Sequence, residues 1–181
     1  MNFFSIILCC YNSEKYISLT LDSIMNLDYK NYELIIVNDG SIDQTDKIIN
    51  SYKFKIKNLT YFKQVNLGLS LARNKAINSA KYDWIVVLDH DYLMHKDRLQ
   101  IHNKQIDSDP NTKLFFCNCS HFKDNLQITQ NHFQMFNLDK YNLNQYNAAI
   151  SLLIYGSFIP SSSVLFHKNS AISVGLFDKK Y

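Results

Sequence analysis

The chain has 181 residues, 46% of them hydrophobic, with 12 tyrosines and 12 phenylalanines. That length suits one domain with a sizeable core, and the composition excludes a disordered chain. A net charge of +3, from 19 basic and 16 acidic residues with the lysines dispersed, reads as a solvated surface and neither requires nor rules out nucleic acid.

In chain order, residues 3–10 form an apolar run with no basic flank and no small-residue cleavage site. The run is too short to span a bilayer and is expected to be a buried first strand. Ser13 is placed to cap a helix carrying Ile17, Leu21, Ile24 and Met25 at helical spacing. A second strand is expected over 34–38, a short helix over 45–52 and a third strand over 60–64. A helix over 68–80 can share Leu69, Ala72, Ala76 and Ala80 on one face, and 84–88 is an almost wholly apolar fourth strand. A helix over 98–107 and a strand over 114–119 follow. Residues 120–146, rich in Asn, Gln and aromatics, show no period and read as irregular or locally extended. A short helix over 148–155, a strand over 163–167 and a helical turn over 169–174 complete the chain.

Strands apolar on both faces suit a parallel sheet covered by helices, and the alternation of strand and helix implies a doubly wound α/β fold. No internal repeat or linker composition divides the chain, so one domain is expected. Cys9, Cys10, Cys117 and Cys119 lack common zinc-site spacing and fall in apolar runs. They are expected to be reduced, buried thiols, which fits a cytoplasmic protein.

Each early strand leads into a polar cluster: Tyr11-Asn12, then Asn38-Asp39-Gly40-Ser41, then Asn66-Leu67-Gly68, then Asp89-His90-Asp91. In a parallel sheet these clusters lie along one edge, where open α/β sheets bind ligands. Asp89 and Asp91 follow a buried strand, and two carboxylates at this spacing repel unless a cation or donor lies between them. A hard divalent ion shared with ligand phosphates fits; a solvated acidic turn also fits. Asp39 reads either as an acceptor for a base or ribose, or as part of a βα turn whose Ser41 or Asp43 caps the next helix. Arg73 is either a surface residue or a partner for phosphate or the acidic turn. His90, His95 and His102 are individually weak signals. Two of only four glycines, Gly40 and Gly68, stand in these clusters.

Taken in order, these motifs resemble family 2 inverting glycosyltransferases of the glycosyltransferase-A (GT-A) fold. The matching segments are Ser5 to Asn12, Glu33 to Asp43, Asn66-Leu67-Gly68 with Ala72-Arg73-Asn74, Leu88 to Asp91, and Val174 to Asp178. Each is moderate alone; the ordered set covers nearly the whole chain. The resemblance implies a mostly parallel central sheet flanked by helices, the nucleotide-diphospho-sugar transferase (Rossmann-like) architecture. Residues 1–100 would form the nucleotide-sugar-binding half and 101–181 the start of an acceptor-binding half.

Roles follow from the resemblance. Tyr11 and Asp39 would contact the nucleotide base, with Glu14 near that pocket. Arg73 would support the pyrophosphate, Asp89 would reach ribose or metal, and Asp91 would be the principal ligand of Mn2+ or Mg2+. The donor would be a nucleotide-sugar, with a UDP-sugar favoured, and the acceptor a saccharide or lipid-linked glycan. No nucleic acid partner is implied. A cytoplasmic location at the inner membrane face, peripheral membrane association and homo-oligomers are compatible with the family. Three departures stand out: Cys9-Cys10 where members usually have Pro-Thr, Tyr92 where many have a further Asp, and an end at Tyr181, ahead of the Glu-Asp motif that supplies the catalytic base. A non-catalytic nucleotide-sugar-binding remnant is the alternative. A haloacid dehalogenase phosphatase would carry its Asp-x-Asp after the first strand rather than the fourth, and a dinucleotide dehydrogenase would show a Gly-rich first turn.

Overall fold

Strand β1 (Phe4–Cys10) is buried at all seven positions, which an apolar run achieves only with neighbours on both edges and cover on both faces. It pairs in parallel with β2 (Tyr32–Asn38) on one side and β4 (Trp84–Asp89) on the other. β2 pairs in parallel with β3 (Leu59–Lys63). A computed structural model describes residues 1–123, 128–132 and 159–180. They fall in two compact units, Met1–Phe115 with Leu165–Tyr181, and Phe116–Val164.

In the first unit, the four parallel strands continue into β5 (Leu114–Phe116) and β8 (Val164–His167), giving the order β3-β2-β1-β4-β8-β5. β8 runs antiparallel to β4, pairing Trp84 with His167 and Val86 with Leu165. Helix α1 (Ile17–Met25) buries Ile17, Thr20, Leu21 and Ile24. Helix α2 (Thr45–Tyr52) buries Thr45, Ile49 and Tyr52. Helix α3 (Leu69–Ser79) buries Ala72, Arg73, Ala76 and Ile77; its two alanines are small enough to allow close approach to the sheet. Helix α4 (Arg98–Ser108) buries Leu99 and Ile106, with His102 held between Arg98 and Gln105. A short helix, α5 (Lys168–Ser173), follows β8. Among the described residues no helix is long and apolar enough to cross a membrane.

Several boundaries differ from the sequence expectation for physical reasons. β2 starts two residues early because Glu33, 2% exposed, is satisfied inside the sheet by the Ser5 hydroxyl (2.7 Å) and the Lys81 N–H (2.6 Å). Ser13 does not cap α1: the cap is Tyr16, and the Ser13 hydroxyl donates to the Tyr11 carbonyl. Leu69 lies half outside the buried face of α3, at 49% exposure, and Ile77 takes a place there. The strand expected over 114–119 ends at Phe116, so Cys117 and Cys119 are partly exposed instead of buried, whereas Cys9 and Cys10 are buried.

The second unit contains an antiparallel pair, β6 (Ser120–Phe122) and β7 (Ile128–Asn131), within the stretch read as irregular or locally extended. The helix expected over 148–155 lies outside the described residues.

Candidate functional site

The parallel strands β1, β2 and β4 end side by side at Cys10, Asn38 and Asp89. An open cleft of about 550 Å³ lies at this edge, lined among others by Tyr11, Asp39, Asn66, Asp89, Asp91 and Tyr92. Register explains the convergence. Cys9 pairs with Val37 and with Asp89, so the residues just past these positions leave the sheet at one level.

Asp39 is 4% exposed, and its carboxylate is committed to backbone organisation. Oδ1 accepts from Gln64 Nε2 (2.7 Å) and the Leu67 N–H (3.0 Å), and Oδ2 accepts from the Gly68 N–H (2.8 Å). These three N–H donors pin the loop from β3 to α3. One lone-pair site of the carboxylate's four is left for another donor. Gly40, at φ +83°, faces the same loop so closely that a Cβ would sit 2.6 Å from the Asn66 nitrogen.

The two loops after β1 and β2 are laced together. The Asn12 N–H donates to Ser41 Oγ (3.0 Å), and Asn12 Oδ1 accepts from the Ile42 N–H (3.0 Å). The Ser13 N–H donates to Thr45 Oγ1 (2.7 Å) and the Glu14 N–H to Asp43 Oδ2 (3.0 Å). Glu14 Oε2 in turn accepts from the Gln44 N–H (2.9 Å). Glu14 is therefore engaged at the start of α2 and is not among the residues lining the cleft. Asp43 Oδ1 accepts from the Thr45 N–H (3.0 Å), whereas Ser41 serves the other loop. Burial opposes ionisation of Asp43, but the Thr45 side chain and the Glu14 and Thr45 N–H groups outweigh it and lower its pKa. Local spacing suggests Ser41 or Asp43 as the cap of α2; the cap position is Gln44, without a side-chain cap bond, and Asp43 accepts from the Thr45 N–H just inside the helix. The pairing of Asn12, Ser13 and Glu14 with a loop thirty residues away carries no local signal.

Arg73, 9% exposed, does not line the cleft directly. Its Nη2 donates to Asp89 Oδ1 at 2.7 Å. A buried guanidinium thus fixes one of the two rim carboxylates while the other, Asp91, stands exposed. The donor set that Asp89 and Asp91 offer is all-oxygen. It fits a hard divalent ion that takes its remaining ligands from phosphates and water. No group of three or more His, Cys, Asp or Glu side chains among the described residues forms a self-sufficient metal site. Cys9 and Cys10 also line the cleft, and burial pushes both thiols up to about 12. Tyr92 packs against the core from the cleft side. His90 lines the cleft, and its carbonyl accepts the Thr20 hydroxyl at 2.7 Å. His95 is exposed and pairs loosely with Asp97.

This mostly parallel, helix-flanked sheet is the GT-A fold of nucleotide-diphospho-sugar transferases. The glycosyl transferase family 2 model matches residues 5–173, and the chain belongs to that family. It is 34% identical over 102 residues to the glycosyltransferase GlyA of Streptococcus pneumoniae, covering 56% of this chain and 15% of that protein. It is 38% identical over 97 residues to the poly-beta-1,6-N-acetyl-D-glucosamine synthase of Staphylococcus epidermidis, covering 51% of this chain and 23% of that protein. The crystal structure of S. aureus TarS 1–349 matches with a TM-score of 0.76 at 25% identity, covering 98% of this chain and 51% of that one. The mannosyltransferase PcManGT from Pyrobaculum calidifontis matches with a TM-score of 0.73 at 19% identity, covering 98% and 48%, a likeness of fold. The chain thus spans under a quarter of these two curated relatives and about half of the solved chains.

Proposed function

We propose that the cleft binds the nucleotide diphosphate of a sugar donor, and that the chain is the donor-binding part of a metal-dependent inverting glycosyltransferase. The observation that carries this reading is the convergence of Tyr11, Asp39, Asp89 and Asp91 on one cleft at the carboxyl edge of a parallel sheet. UDP is the favoured nucleotide. The TarS 1–349 complex with UDP-GlcNAc, a match of TM-score 0.75 at 25% identity, supports that choice. PcManGT was crystallised with GDP-Man and Mn2+, so GDP is the first competitor to test.

In this reading Tyr11 stacks on the base and the remaining acceptor site of Asp39 takes a base or ribose donor. Glu14 acts at one remove, by fixing the loop that carries Tyr11. Asp91, with Asp89, would hold Mn2+ or Mg2+, and the ion would supply positive charge against the leaving diphosphate. Arg73 keeps Asp89 aimed at the cleft through its 2.7 Å bond to Oδ1. A carboxylate base would deprotonate the acceptor hydroxyl, a saccharide or lipid-linked glycan; no described residue is assigned that role.

Calorimetric titration of UDP, with and without Mn2+, into the wild type and Asp91→Ala tests the reading. Metal-dependent binding that weakens at least about tenfold in Asp91→Ala is expected, one lost charged ligand being worth about 1.5–3 kcal/mol. Equal binding with and without metal, or tighter binding of GDP than UDP, would overturn the corresponding part.

A further inference from the structure

Behind the cleft, the segment after α5 is clasped by two consecutive residues of α3. Asn74 reaches both backbone groups of Phe177. Its Nδ2 donates to the Phe177 carbonyl at 2.8 Å, and its Oδ1 accepts from the Phe177 N–H at 3.0 Å. Next to it, the guanidinium of Arg73 lies over the Phe177 ring, 5.2 Å from the centroid. The same guanidinium donates to Asp89 Oδ1 at 2.7 Å. The turn that delivers Phe177 is strained. Gly175 adopts φ +94° and Leu176, which has a side chain, φ +63°. Their N–H groups close back onto the Ile172 and Ala171 carbonyls at 3.0 and 2.9 Å. A non-glycine residue in the left-handed region persists where surrounding contacts over-determine it, and the Asn74 clasp is such a contact.

From this geometry we infer that Phe177 is a positioning residue for the donor site. Its ring holds the Arg73 guanidinium in register with Asp89, so the 174–178 segment and the rim carboxylate are set together. The inference rests on the donor-site reading for its functional consequence, but the coupling itself is a property of Arg73, Asp89 and Phe177. A cation over an aromatic face, sheltered from water, is held both by the ring quadrupole and by packing. Removing the ring takes one support from the guanidinium of Arg73, a residue only 9% exposed, and so loosens the direction it gives Asp89. The effect on the ligand is indirect, since Phe177 does not line the cleft.

Two measurements separate the coupling from the donor reading. The chain has two arginines, Arg73 and Arg98, so the side-chain Nε–H signals of a 15N-labelled sample are readily assigned with Arg98→Lys. In the wild type the Arg73 signal is expected to be shifted by the ring current, and Phe177→Leu should move it back. UDP titration with Mn2+ should then show affinity about fivefold weaker in Phe177→Leu, less than the full worth of a sheltered cation–π contact because the ring reaches the ligand only through Arg73 and Asp89. Phe177→Tyr should stay within about twofold of the wild type, because it keeps the aromatic face. In an Arg73→Lys background, Phe177→Leu should cost markedly less than it does alone. A merely structural Phe177 would lower the melting temperature in Leu and Tyr variants alike, without this pattern. An unmoved Arg73 signal, or equal UDP affinity in wild type and Phe177→Leu, overturns the inference. A displaced Arg73 signal in a protein that binds no nucleotide would retain the coupling and overturn the donor reading.

Discussion

Two glycines in the polar loops show how backbone geometry at a single residue shapes the cleft. Gly40 and Gly68 both have positive φ, +83° and +91°, where a side chain costs about 1–3 kcal/mol. They differ in their surroundings. A Cβ at Gly40 meets the Asn66 backbone nitrogen at 2.6 Å, whereas at Gly68 it meets nothing within 4 Å. Gly68→Ala is therefore expected to cost the conformational term alone. Gly40→Ala adds an overpacking term of about 1–3 kcal/mol, because backbone rather than a flexible side chain must move. Urea unfolding of the two variants measures the difference, and equal losses would show that the loop yields freely. The clash would also push Asn66 and its neighbours away from Asp39, so Gly40→Ala should weaken UDP binding more than Gly68→Ala does. The sequence marks both glycines as special through their scarcity and their place after apolar strands. It does not distinguish them, since the close approach of residue 66 to residue 40 is a tertiary fact.

At the scale of elements, the parallel strands were readable because β1, β2 and β4 are nearly continuous apolar runs. The polar exceptions hid what lay between them. Glu33 falls outside the strand expected over 34–38, and only its two partners, Ser5 and Lys81, bring it inside the sheet. The lacing of the β1 and β2 loops through Glu14 and Asp43 is equally nonlocal. A second network joins α2 to the edge of the sheet: Tyr61 donates to Asp46 Oδ1 at 2.5 Å, Lys63 to Asp46 Oδ2 at 2.7 Å, and Asn38 Nδ2 to the Tyr61 oxygen at 3.1 Å. The Lys63 and Tyr61 donors lower the pKa of Asp46 below its ordinary value. Burial, and then the Asp46 carboxylate, raise that of Tyr61. A carboxyl group depressed in the folded state binds its proton more readily when unfolded, so stability rises with pH across that interval. The contribution of Asp46 is present above the ordinary carboxylate pKa, about 4, and is lost as pH falls through the lower folded value. For Tyr61 the sign reverses: its contribution holds below about 10 and is lost as pH rises through the raised folded value. Since Asp46 is about a third exposed, Asp46→Asn should cost only about 0.5–1 kcal/mol at pH 7. The gap between wild type and variant should narrow as pH falls below about 4 and through the lower folded value. Urea midpoints at pH 7, 4 and 3 measure this, and a gap independent of pH would mean that the amide replaces the carboxylate's role by packing alone.

Across the whole molecule, the strand that carries the first ligand loop is also the most deeply held. β1 has a parallel neighbour on each edge and cover on each face, so exposing Cys9 or Cys10 requires the sheet to open. Their thiols are further silenced, because burial pushes them up to about 12, with the nearby Asp89 and Asp39 carboxylates adding to the shift at Cys9 and the Arg73 guanidinium opposing it. Cys117 and Cys119 are partly exposed. A thiol reagent at pH 7, with sites resolved by peptide mass, should therefore modify Cys117 and Cys119 at least about a thousandfold faster than Cys9 and Cys10. That ratio follows if the inner pair reacts only through near-global opening of a domain of ordinary stability. The inner pair also floors the cleft, so a ligand bound there opposes the opening by mass action. UDP with Mn2+ at a hundred times its dissociation constant should slow Cys9 and Cys10 modification about a hundredfold and leave Cys117 and Cys119 unchanged. If the inner thiols react quickly, the cleft floor opens locally, and the rim carboxylates then stand on a moving base. If they are slow but indifferent to UDP, the ligand does not bind above β1, and the assignment of this edge as the donor site fails on grounds independent of any metal.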